Sequence, residues 1–218
     1  RTSHSATNNF ILNQVILHGI SEAYDITNVV IGLNLYETIK GLGSGSIVFR
    51  DAQAIIDSLK LSGQEAIELE FASAVGSTYE KTIHKVYRID GATRMPADSN
   101  GHEIAEINFC NNLIVLNEFH KKPWAFANSS ISNIVRSILD SFGGETPVYE
   151  VEDTTYAREL VTPICKPVQL IFNLAKHASS KENNGCQFMF YENRDGVMFK
   201  SLNTLKQQDY KYVITKAA

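Results

Sequence analysis

The sequence has 218 residues, 44% of them hydrophobic, enough to bury the core of one large or two ordinary domains and too many for a disordered chain. Lys and Arg number 20 against 24 Asp and Glu, a formal charge of -4 with no basic run, which disfavours a protein that grips nucleic acid through its phosphates. Three scattered cysteines without a CxxC or a histidine at zinc spacing argue for free thiols rather than a disulfide-stapled secreted fold, and no apolar run nears the roughly 20 residues that cross a bilayer.

Residues 1–9 are polar and expected to fray; with no initiator Met and no signal-peptide core, Arg1 is not expected to be the natural start. Phe10 to His18 reads as a first strand, and Gly19 with Ser21 turns the chain towards a long hairpin. In that hairpin Val29, Ile31, Leu33 and Leu35 recur every second residue, which predicts one buried face, and Ile47-Val48-Phe49 supplies the partner strand. Lys40 to Ser46, KGLGSGS, is read as the loop between them. A phosphate cradle would need a helix directly after those glycines, and a strand follows.

Asp51 is placed to cap a short helix in which Ala52, Ile55, Ile56 and Leu59 share a face. Beyond Gly63 the period returns to two, with Ile67, Leu69 and Phe71 opposite Ala66 and Glu68. A turn is expected at Ser73 to Thr78, and Tyr79 to Asp90 alternates again, Ile83 on one face and His84, Val86 and Arg88 on the other. Ala92 to Gly101, with Pro96, Asp98 and Asn100, reads as a turn before a strand in which Ala105, Ile107 and Phe109 oppose Ile104, Glu106 and Asn108. Six or so strands with one helix predict a closed or nearly closed antiparallel barrel over residues 1–111, since an open sheet of that size leaves edges to manage.

Residues 112–218 read as a smaller α+β unit of two helices and a hairpin. Ile131, Ile134, Val135, Ile138, Leu139 and Phe142 make one helical stripe, stopped by Gly143-Gly144. Asn128-Ser129-Ser130 in front of it fits a glycosylation sequon but is equally well explained as a cap. Pro167 opens a second helix with Val168, Ile171, Phe172, Ala175 and Ala178 on one stripe. In the last segment Cys186, Phe188 and Phe190 alternate with Gln187, Met189 and Tyr191, and Asp195-Gly196 supplies the hairpin turn.

No catalytic, cofactor-binding or metal-ligating constellation emerges. His4, His18, His84, His102, His120 and His177 are scattered, and surface or structural roles are expected for them. Glu150, Glu152 and Asp153 form an acidic knot without the spacing of a calcium loop. Phe188, Phe190, Tyr191 and Phe199 are expected to fill a core rather than to stack bases or sugars, and Trp124 to anchor the two units or an interface.

The ordered set Leu33–Ile39, Gly45–Asp51, Gly63–Phe71, Val86–Ile89, Ile134–Leu139, Lys166–Val168 and Phe190–Leu202 resembles the central baseplate hub proteins of contractile-tailed bacteriophages, whose architecture is shared by the N-terminal part of the VgrG proteins of type VI secretion. The resemblance implies an α+β, mostly antiparallel chain: a tail-tube-like β-barrel followed by a smaller α+β hub domain. It further implies a non-enzymatic virion protein, a homotrimer whose ring joins the tail tube or its initiator to the central spike. DNA and the tape-measure protein would pass through that ring without specific binding or membrane insertion. Its expected place is the tail baseplate, assembled in the host cytoplasm, with no cofactor. The family's second tube-like barrel is not contained in these residues. A hexameric distal-tail or tube-initiator protein is the alternative; a carbohydrate-binding module or hydrolase around Trp124 and the final hairpin is the third reading.

Overall fold

The computed structural model describes residues 10–73, 82–97, 99, 101–145 and 147–208. The polar start, most of the turn expected at 73–78, the beginning of the strand expected from Tyr79, and the turn residues Asp98 and Asn100 lie outside them. The chain divides into two compact units, Arg1–Thr38 with Leu42–Val115, and Ile39–Gly41 with Leu116–Ala218.

The first unit is a seven-stranded antiparallel sheet built from β1 (Phe10–His18), β2 (Ala23–Asp25), β3 (Val30–Tyr36), β4 (Ser44–Arg50), β5 (Ala66–Ser73), β6 (Ile83–Met95) and β7 (Ile104–Cys110). Its order is β2-β1-β5-β6-β7-β4-β3, so the two edge strands are neighbours in the sequence. From Asp25 to Val30 the chain can reach roughly 18 Å, whereas the edges of a flat seven-stranded sheet stand about 29 Å apart. The sheet must therefore curl, and it does so as a half-barrel, with no ladder between its edges among the described residues. Much of the bend is made by β6, which pairs with β5 as far as Arg88 and with β7 from Arg88 onward. A bulge between Ile89 and Gly91 marks that corner, the usual device for bending a strand from one partner to the next.

The inward row of every long strand feeds one core: Val15 and Leu17, Ile47 and Phe49, Ile67 and Leu69, Tyr87 and Ile89, Ala105, Ile107 and Phe109. Helix α1 (Ile55–Leu59) adds Ile55 and Leu59 to it. As expected, Asp51 caps this helix, its carboxylate accepting from the N–H groups of Ile55 at 2.6 Å and Ile56 at 3.2 Å. Ala52, assigned to the buried stripe, is exposed, because the helix begins three residues beyond it.

Further differences from the sequence reading have local causes. A bulge between Val30 and Gly32 shifts the β3 register, so Ile31 faces outward at 52% exposure while Leu33 and Leu35 pack on the core. The loop read at Lys40 to Ser46 is shorter, since Ser44, Gly45 and Ser46 belong to β4 and pair with both β3 and β7. Ala92 to Met95, read as turn, continues β6 against β7. The three-residue β2 was not foreseen.

Helix α2 (Asn112–Phe119) carries the chain into the second unit. There β8 (Lys122–Ser130) and β10 (Ala157–Cys165) form a two-stranded antiparallel ribbon. A separate three-stranded sheet joins β11 (Phe188–Asn193) and β12 (Gly196–Ser201) as an antiparallel hairpin, with β9 (Tyr149–Val151) added in parallel to β12. The two expected helices are present as α3 (Ile131–Asp140) and α4 (Pro167–Ala175), and a short α5 (Leu202–Lys206) follows the hairpin.

Ser130 caps α3, its hydroxyl accepting from the Asn133 N–H at 3.3 Å, and Ile131, Ile134, Val135, Ile138 and Leu139 are buried as the stripe required. At α4 the proline stands in the first turn, and the side chain of Asn117 accepts from the Val168 N–H at 2.9 Å in place of a local cap. Phe172 from α4 meets Phe190 edge to face at 5.3 Å, which docks the helix on the hairpin.

Candidate functional site

The titratable side chains singled out in the sequence do not assemble into one site, although two of the histidines meet on a shared carboxylate. His18 on β1 and His84 on β6 each place Nε2 2.7 Å from a different oxygen of Glu68 on the intervening β5. The hydrogen bonds from His84 and then His18 hold the Glu68 carboxyl below its ordinary range. His120 puts Nδ1 at 3.0 Å from the Leu116 carbonyl and its ring against the edge of Phe142. His177 continues the end of α4 through its backbone N–H, His102 lies on the surface, and His4 is outside the described residues.

The acidic knot does not converge either. Glu150 pairs with Lys200 at 2.8 Å and Asp153 with Arg136 at 2.7 Å, while Glu152 is half-buried and accepts from the Ser201 N–H at 2.7 Å. Burial raises the Glu152 carboxyl, but hydrogen bonds from Ser180 and Ser201 outweigh it and leave the group below the usual range. These partners lock β9 to β12 and leave no set of oxygens facing one point. Among the described residues no group of three or more His, Cys, Asp and Glu is arranged to hold a metal ion. The three cysteines are free; burial, with the charge of Asp90, pushes the Cys110 thiol up to about 11, which leaves it protonated and inert at neutral pH.

Three of the four aromatic residues singled out in the last hairpin fill the core, and Tyr191 on the other face of β11 is half-buried. Phe188, Phe190 and Phe199 are buried, the first and last with ring centroids 4.9 Å apart, so they offer no stacking platform. Trp124 is buried on β8, stacked on Phe126 at 5.8 Å with Lys122 4.2 Å above its ring, and its indole N–H has no hydrogen-bond partner. A cleft of about 490 Å³ opens at the start of α3, among Ser130, Ser132, Asn133, Thr154, Tyr156 and Lys181. Its two buried hydroxyls, Ser132 and Thr154, are spent on each other's backbone N–H groups at 3.2 and 2.9 Å, and no nucleophile is paired with a base there.

What the units do present is strand edge and apolar surface. In the first unit, among the described residues β3 is paired only on its β4 side, and Ile31 and Tyr36 stand 52% and 59% exposed along it. In the second, the outward face of the ribbon carries Ala125 beside Val161, which is 81% exposed, and Ile164 at 72%. Unpaired edges and exposed apolar side chains are the features by which a chain joins other chains, and sequence periodicity had pointed to neither. Among the described residues no helix is long and apolar enough to cross a membrane.

No family model matches the chain. Solved structures share the fold. The fold is shared with the tail protein from Neisseria meningitidis MC58, at 9% identity and a TM-score of 0.56 over 88% of this chain and 50% of that one. It is shared also with a chain of the Francisella PdpA–VgrG complex, at 15% identity and 0.53 over 97% of this chain and 31% of that one. The half-barrel with its α+β companion is thus a fold found in a tail protein and in a VgrG complex. Sequence narrows the class: over 210 residues, 96% of this chain, it is 41% identical to the probable baseplate hub protein gp334 of Vibrio phage KVP40. The chain is homologous to that probable baseplate hub protein and spans about half its length.

Proposed function

We propose that this chain is the tube-like barrel (1–111) and α+β part (112–218) of a structural baseplate hub subunit, which joins the tail tube to the central spike of a phage virion. The observation that carries the reading is the 41% identity to a probable baseplate hub protein, which runs through both units. The geometry supports it in kind. A curled sheet whose seven-residue edge strand is paired on one side among the described residues is suited to heterologous contacts that close into a ring. Three copies per ring, with the tube or its initiator on one side and the spike on the other, follow from the hub reading. So does a lumen that DNA traverses, and a net charge of -4 is compatible with a wall that does not hold a polyanion.

The test is copy number and position in assembled tails, by cryo-electron microscopy of particles carrying a tag on this chain. Three copies at the junction of tube and spike are expected. Six copies would select the distal-tail reading, and a strictly monomeric chain that never enters tails would overturn both.

A further inference from the structure

We draw no further inference here: the strongest candidate, the exposed apolar patch of the two-stranded β8–β10 ribbon around Ala125, Val161 and Ile164, carries none, because nothing in the structure shows what covers it.

Discussion

Gly45 and Phe109 lie opposite each other on β4 and β7, and a Cβ on the glycine would stand 2.6 Å from the Phe109 ring and closer still to the Asn34 carbonyl oxygen. The phenylalanine fills the space that the missing side chain leaves, which couples a strand residue without a side chain to the centre of the half-barrel core.

Gly45→Ala should therefore overpack the core and cost about 1–3 kcal/mol in stability. Gly32→Ala on the neighbouring strand, where an added Cβ meets nothing within 4 Å, is the control and should be nearly neutral. Urea unfolding of both variants checks the contrast; equal losses would show that strand glycines here matter for flexibility and not for space.

The buried carboxylate of Asp51 satisfies two N–H groups at the start of α1, whose Ile55 and Leu59 belong to the core. Asp51→Ala should cost about 0.5–2 kcal/mol, the usual loss for a removed cap, with Asp51→Asn recovering part of it. Thermal unfolding followed by circular dichroism gives the ranking; an alanine variant as stable as the parent would remove the cap from the account.

Glu68 bridges β1 and β6 through His18 and His84, and its carboxyl is held below the ordinary range by those two hydrogen bonds. A carboxyl depressed in the folded state contributes stability that is present above its unfolded pKa and is lost as pH falls through the folded one. Stability should thus decline below about pH 4–5 through this group, and Glu68→Gln should flatten that part of the profile. Denaturation midpoints across the acid range measure it; superimposable profiles would assign the acid loss to other carboxylates.

In the last hairpin Gly196 adopts φ 136°, and an added Cβ would strike the backbone of Val148, whose carbonyl accepts from the Val197 N–H at 2.9 Å. Gly196→Ala combines backbone strain with that clash and should cost at least about 1–3 kcal/mol. Hydrogen exchange at Val197 should rise with it, since one of the bonds that hold β12 beside β9 is displaced. Unchanged protection there would place the strain elsewhere.

Two absences from the sequence reading show where local pattern stops. Helix α2 was missed because Leu113 to Leu116 are four consecutive apolar residues and carry no helical period. The signal that could have found it is Asn111, whose side chain accepts from the Leu113 N–H at 2.8 Å. The ribbon strands were missed because Pro123 and Pro163 interrupt them and most of their residues stay exposed, so neither hydrophobic alternation nor strand propensity marks them.

What the sequence determined by itself is whatever depends on neighbours a few residues away: the α3 stripe with its Ser130 cap, the proline start of α4, the Asp51 cap, and a tight turn in the last hairpin, expected at Asp195-Gly196 and found one residue earlier, at Arg194-Asp195. Its 41% identity to a baseplate hub protein belongs to the same linear information. Only the tertiary structure decided which way Ile31 faces, that Gly45 lies under Phe109, and that β2 and β3 end as opposite edges of one curled sheet. Those outcomes depend on register between strands far apart in the chain. A single bulge reverses every side chain beyond it, and periodicity along one strand carries no record of where its partner's bulges fall.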